Sequence, residues 1–297
     1  MGAADVVPGV SGGTIALITG IYRELIFTLS NLRPRLFGVW WRRGFAAFWR
    51  EGNLGFLTTL LAGIVTSILL LANLIVWLMT HYEVPVWSFF CGLILASIAV
   101  VLRPLRHFGP AIWAVFLLGV LTAGWVVSRP GLDALGLMPL TFFLAGSVAI
   151  CAMILPGISG SFILLLLGMY LPVLEALRNL EVPLLSAFVV GCVTGLLAFV
   201  HLLRWLLERW HDPVMALLAG FMAGSLARLW PWRVPAEEGA VREHTLWPAQ
   251  WSEQTGEPAL VVPALLALAF GVVLVWLLSR RLPVHNEHRQ KQGDAAD

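Results

Sequence analysis

Apolar runs of near-membrane length, separated by short polar connections, make up most of this chain. They lie at about 54–79, 86–102, 110–127, 184–203, 213–227 and 259–279. A helix of roughly 20 apolar residues crosses the ~30 Å of hydrocarbon in a bilayer. A further apolar stretch occupies 139–155. Three segments interrupt the pattern. Residues 31–53 are basic and Trp-rich, with Arg33, Arg35, Arg42, Arg43 and Arg50, and read as interfacial. Residues 128–138 carry Pro130 and Gly131 and read as a turn-rich connection. Residues 228–258 read as a polar loop carrying Trp230, Trp232, Trp247 and Trp251. The tail, 281–297, is charged and expected to be disordered. The pattern predicts an all-α integral membrane protein.

Two stretches inside this pattern cannot form continuous helix. Pro8-Gly9-Val10-Ser11-Gly12-Gly13-Thr14 opens the chain, and Pro156-Gly157-Ile158-Ser159-Gly160-Ser161-Phe162 repeats it 148 positions later. Each copy is followed at the same distance by a Gly and a Tyr: Gly20 and Tyr22, then Gly168 and Tyr170. Residues 8–22 are too short and too broken to cross comfortably, so a re-entrant helix-loop-helix is expected. In lipid, broken backbone persists only where protein buries it or where it lines a wet cavity. Gly/Pro-interrupted segments in corresponding halves point to a transporter's binding site.

The duplication extends further. Gly63-Ile64-Val65-Thr66 matches Gly191-Cys192-Val193-Thr194. At the same offset of 128, Trp77 matches Trp205, Pro85 matches Pro213, Gly92 matches Gly220 and Ser97 matches Ser225. The basic segment 31–53 has no counterpart. The expected organisation is therefore two repeats, each a re-entrant hairpin plus three spans. Residues 1–127 hold the first hairpin at about 5–30, and 139–280 hold the second at about 145–178. With 31–53 placed in the cytoplasm, Lys and Arg concentrate on the inside segments only if both motifs return to the side they entered from. The halves then have opposite topology, the inverted-repeat plan of secondary transporters. About seventeen apolar residues precede the second motif but only seven precede the first. The expectation is that Met1 is an internal start and that the natural chain begins earlier.

Composition sharpens the class. The chain is 59% hydrophobic and 12% charged, with mean hydropathy +0.85. Soluble domains carry about 25% charged residues, so a soluble enzyme with an anchor is excluded. The net charge of +2 is too small to imply nucleic acid. Cys91, Cys151 and Cys192 lie in apolar runs without metal spacing and read as packing residues. No metal or cofactor is implied. The pattern of a cleaved signal peptide is missing. Walker and His-Glu-x-x-His motifs are also missing. Gly9-Val10-Ser11-Gly12-Gly13 matches the letters of a nucleophile elbow, but an elbow needs an α/β sheet. The expectation is a protein that is not an enzyme.

The repeated motif suits an anion. Its glycines uncover backbone amides, and the half-helices starting near Gly13 and Ser161 point their positive ends at the turns. The candidate phosphate-binding set is Gly9, Ser11, Gly12, Gly13, Thr14, Gly157, Ser159, Gly160 and Ser161. Two such hairpins of opposite topology would meet near the midplane around one anion. Asp5 lies at membrane depth, where an ionisable group is a functional candidate by default. It could carry a coupling proton or cation. Tyr22 and Tyr170 are candidate gating residues, although such tyrosines more often anchor at interfaces. Arg103 and Arg106, with His107, form a positive-inside cluster that also suits the approach of an anionic headgroup. Arg204 and Glu208 stand at i,i+4 and are expected to pair. The bland alternative for the motif glycines is close helix packing; the duplication in opposite orientation favours binding. Rival functions are a secondary transporter of a small soluble anion, a membrane enzyme acting on lipid phosphate, and a non-transporting scaffold.

Gly2-Ala3-Ala4-Asp5-Val6-Val7-Pro8-Gly9-Val10-Ser11-Gly12-Gly13-Thr14, with Gly20 and Tyr22, resembles the first hallmark of the bacterial PopT-type polyprenyl-phosphate translocase family. Leu155-Pro156-Gly157-Ile158-Ser159-Gly160-Ser161, with Gly168 and Tyr170, is similar to that family's second hallmark. The similarity covers most of residues 1–280. It implies a multi-pass flippase of the bacterial cytoplasmic membrane. Such a protein returns undecaprenyl phosphate, the lipid carrier of cell-wall precursors, from the outer to the inner leaflet by alternating access. An oligomer is possible on this reading.

Overall fold

The computed structural model describes residues 1–2, 11–105, 109–127, 138–235 and 243–281. The chain opens with a broken helical pair, α1 (Gly12–Ile18) and α2 (Tyr22–Asn31). Two short helices follow, α3 (Pro34–Arg43) and α4 (Phe45–Glu51), then the long α5 (Leu54–His81), α6 (Glu83–Leu102) and α7 (Pro110–Val127). The second half runs α8 (Pro139–Ile154), α9 (Gly160–Leu166), α10 (Tyr170–Arg178), α11 (Val182–Arg209) and α12 (His211–Ser225). α13 (Pro248–Thr255) and α14 (Val261–Arg281) complete the described chain. Four of these helices, α5, α6, α11 and α14, are long and apolar enough to cross a membrane. α7 and α8 are shorter apolar helices. This is a multi-pass, helical membrane protein. The charged tail expected to be disordered, from residue 282 on, lies outside the described residues.

Each half holds a helix pair broken after its motif. α9 and α10 meet at 104°. Both broken pairs turn on a glycine in the left-handed region, Gly20 at φ 74° and Gly168 at φ 65°. The flanking hydrogen bonds also repeat. Gly20 N–H donates to Leu17 O (3.2 Å) and Ile21 N–H to Ala16 O (3.0 Å); Gly168 N–H donates to Leu165 O (3.0 Å) and Met169 N–H to Leu164 O (2.8 Å). Each set is the paired cap that ends a helix on a left-handed residue.

The correspondence at offset 128 is equally close. α5 and α11 are both 28 residues long. They end on Tyr82 (φ −138°, ψ 46°) and Trp210 (φ −136°, ψ 58°). The tightest helix pairs are α6 with α14, α7 with α12, and α8 with α11. Backbones touch at the crossings. A methyl group at Gly92 would lie 2.1 Å from Leu268 O, and one at its counterpart Gly220 would lie 2.2 Å from Phe116 O. Lipid supplies no hydrophobic force between helices, so close backbone approach and packing hold them together.

One pair of corresponding surfaces differs. In the second half, Tyr22, Leu25, Ile26 and Leu29 of α2 bury against Val200, Leu203 and Leu207 of α11 and Val214 and Leu218 of α12. In the first half, the residues 128 positions earlier include Ile75, Val86 and Phe90. These line an open groove of about 560 Å³. α10, the counterpart of α2, instead buries Ala176 in a cluster with Met169, which precedes it, Phe142 and Ala145 of α8, and Leu184, Leu185 and Phe188 of α11.

Two segments refine the expectations. The basic stretch 31–53 forms the amphipathic helices α3 and α4, with Trp40, Trp41 and Phe45 exposed. The 228–258 segment is not simply a loop. β1 (Arg233–Pro235) pairs antiparallel with β2 (Glu243–Thr245), Val234 opposite His244, and α13 follows. Its tryptophans build it. Trp230 Nε1 donates to Leu246 O (2.9 Å) and Trp232 Nε1 to Ala259 O (2.8 Å). Trp232, Val234 and Trp251 form a small core with Val84 and Ala264.

Candidate functional site

The two motifs touch. α8 ends at Ile154 because Pro156 cannot donate an amide hydrogen and the chain then turns through Gly157 at φ 84°. A helix end leaves its last carbonyls without partners, and here no water from the bilayer core can supply them. Hydroxyls of the first motif do so. Ser11 Oγ lies 3.3 Å from both Met153 O and Leu155 O. Tyr22 donates its hydroxyl hydrogen to Ile154 O at 3.2 Å. In the opposite sense, Gly157 N–H donates to Thr14 Oγ1 at 3.0 Å. Ser11 and Thr14 are 2% and 0% exposed. A side chain at Gly13 would meet Ile154 O at 2.7 Å, and one at Gly157 would meet the α12 backbone at Met222. Gly13 thus allows α1 to approach the end of α8, and Gly157 allows the second turn to approach α12.

The motifs are not equivalent in this arrangement. The first is buried and its groups are engaged. Gly13 N–H donates to Ser11 Oγ (3.1 Å) and Thr14 N–H to Ser11 O (3.0 Å). The expected uncovered amides are therefore capped by the motif's own serine on this side. In the second motif, Ser159 and Ser161 place their hydroxyls 2.8 Å apart, and Ser161 is exposed. Ser159 starts α9 without a side-chain cap bond. As the first residues of α9, Gly160 and Ser161 have no intrahelical acceptor for their amides.

The other expected residues divide. Tyr22 is buried and bonded to the opposite turn, so it is a clamp and not an interface anchor. The sequence signal for this was its fixed spacing behind the motif, shared with Tyr170. Tyr170 is half-buried at the start of α10. Arg103 is exposed at the end of α6, and no bond joins it to the motifs among the described residues. Gly9, Asp5 and Arg106 lie outside the described residues. Arg204 and Glu208 pair as expected, Nε to Oε1 at 2.9 Å. Arg204 also donates to Ser30 Oγ and Asn31 Oδ1 at the end of α2. Arg33 Nε donates to His201 Nε2 at 2.8 Å. This polar tether between α2 and α11 gave no sequence signal, because its partners lie far apart in the chain. The three cysteines are free.

Residues 1–245 match the family model described as undecaprenyl phosphate translocase-like. A protein of Vibrio cholerae serotype O1 named polyprenyl-phosphate transporter is 43% identical over 291 residues, spanning 93% of this chain and 92% of that one. A protein of Staphylococcus aureus with the same name is 32% identical over 248 residues, spanning 78% of this chain and 83% of that one. No solved structure matches.

Proposed function

The chain belongs to the undecaprenyl phosphate translocase-like family, and from that premise we propose that it moves undecaprenyl phosphate from the outer to the inner leaflet of the bacterial cytoplasmic membrane. The observation that carries the reading is the contact of Ser11 and Thr14 with the Pro156-Gly157 turn, where α8 is interrupted and Ser159 and Ser161 remain accessible. The phosphate docks at these turns. Ser159, Ser161 and the amides at the start of α9 are its donors in this arrangement. Ser11, Gly12, Gly13, Thr14 and Gly157 form the other wall, and Gly9 is a further candidate from the motif. Hydrogen bonds to an ionised oxygen are roughly twice as strong as neutral ones, so a phosphate can displace the Ser159–Ser161 contact. The polyprenyl tail stays in lipid while the headgroup crosses.

In this reading the halves are inverted repeats that exchange roles during transport. The unequal seats of α2 and α10 support it. One arrangement buries α2 on α11 and α12 and leaves the matching first-half surface open; the exchanged arrangement seats α10 there and frees α2. Asp5 is the candidate for proton or cation coupling, Tyr22 and Tyr170 for gating, and Arg103 and Arg106 for headgroup approach.

The test is a flipping assay in proteoliposomes with a fluorescent polyprenyl phosphate. The Ser159→Ala/Ser161→Ala double variant removes two hydroxyl donors near the start of α9. It is expected to lose about tenfold or more of the rate, as for a lost charge-assisted contact of ~1.4 kcal/mol or more, with an unchanged melting temperature. Wild-type rates from this variant would overturn the cradle assignment. Transport of a soluble phosphate ester without lipid-phosphate flipping would favour a small-anion transporter instead.

A further inference from the structure

The open first-half groove has a definite shape, and its other half-molecule counterpart shows what it is shaped for. Ile75, Leu78, Val86, Phe90 and Leu93 line it. Their counterparts at offset 128 are Leu203, Leu206, Val214, Leu218 and Phe221, and all five belong to the cluster that α2 covers. The first-half surface is therefore a seat for an elongated apolar body.

The seat is continuous with the motif. Ile15 of α1, one turn beyond Ser11, lines it, as do Tyr82 and Pro85 at the α5–α6 turn. From Pro85 to Leu93 the groove follows α6 for about 12 Å at 1.5 Å per residue. Its walls are aliphatic and aromatic. Phe89 stands edge-on to Phe90 with centroids 5.2 Å apart, and packs on Phe270 of α14 at 5.7 Å.

We propose that this groove binds the first isoprene units of the polyprenyl phosphate chain. The inference rests on the lipid-phosphate reading above and adds where the tail lies. A phosphate at the turns leaves its chain next to Ile15. A methyl-branched, unsaturated chain fills a knobbly aromatic cleft better than a straight acyl chain. Lipid tails are as apolar as the groove, so the preference comes from packing and not from escape from water. When α10 takes the seat, the chain is expelled. Tail release is thereby tied to the exchange of the two halves.

Binding of undecaprenyl phosphate, dimethylallyl phosphate and hexadecyl phosphate to detergent-purified protein, measured by native mass spectrometry, tests this. Wild-type protein should prefer the undecaprenyl compound to both others. Val86→Trp fills the groove, and Ile75→Phe is a milder second variant in case the first misfolds. Each should weaken undecaprenyl phosphate about tenfold and so lower its preference over dimethylallyl phosphate, which reaches only the start of the groove. An unchanged chain preference in both variants overturns the groove assignment and leaves the phosphate reading intact. Equal binding of hexadecyl and undecaprenyl phosphate by wild-type protein also overturns it. If neither prenyl phosphate binds wild-type protein, the lipid-phosphate reading itself fails.

Discussion

At Ser11, Thr14 and Tyr22, three hydroxyls do the work that water does at the helix ends of soluble proteins. They satisfy the backbone that Pro156 and Gly157 interrupt. A buried polar group left without its partner costs about 1–3 kcal/mol. Thr14→Val keeps the shape but strands the Gly157 N–H. It should lower stability by about that amount, read as a fall in melting temperature in detergent. Tyr22→Phe removes one bond to Ile154 O and should cost about 1 kcal/mol. A Thr14→Val protein as stable as wild type would show that the two turns do not depend on each other. The motif's residue types could be read from the chain, since Gly, Pro and Ser at membrane depth need a reason. Their assignment to a partner turn could not. Ser11 takes carbonyls more than 140 positions away, and no local pattern encodes that.

At the scale of elements, breaks and crossings are set by glycines with different jobs. Gly20 has φ 74° and nothing within 4 Å of an added methyl. Gly20→Ala should therefore cost only the backbone term, about 1–2 kcal/mol. Gly92 is different, because a methyl there would meet the Leu268 carbonyl. Gly92→Ala forces α6 from α14 and should cost about 1–3 kcal/mol, the range for overpacking. Gly63 matches Gly191 in sequence, yet a methyl at Gly63 meets nothing within 4 Å, whereas one at Gly191 would lie 2.1 Å from Phe143 O. Gly63→Ala should be neutral or slightly stabilising in the same melting assay. Equal losses from Gly63→Ala and Gly92→Ala would contradict these crossings. The helical spans were legible because apolar length is a local property. The β1–β2 pair was not, because short strands held by indole-to-carbonyl bonds leave little periodic signal.

At the scale of the whole molecule, segments that correspond in sequence sit in different settings. α2 occupies its seat and α10 does not. The pair Ile26–Leu218 is in one buried cluster, and its counterpart by repeat is Leu174–Phe90. In a background with Cys91, Cys151 and Cys192 replaced by Ala, an Ile26→Cys/Leu218→Cys protein should cross-link readily and stop flipping until reduced. A Leu174→Cys/Phe90→Cys protein should cross-link during turnover and stop flipping equally. Failure of the second cross-link under all turnover conditions, with full activity of the first while cross-linked, would rule out the exchange.

The sequence by itself determined that this chain lies in a membrane, where its helices run, and that one Pro-Gly-x-Ser-Gly motif with its trailing Gly and Tyr occurs twice at a fixed offset. Apolar length, glycine and proline are local signals, and duplication preserves them at fixed offsets. Only the tertiary structure decided that Ser11, Thr14 and Tyr22 bond to the backbone around Pro156 and Gly157, and that one of two corresponding surfaces is covered while the other stands open. Matching sequence patterns cannot encode that difference, because it depends on contacts between segments far apart in the chain.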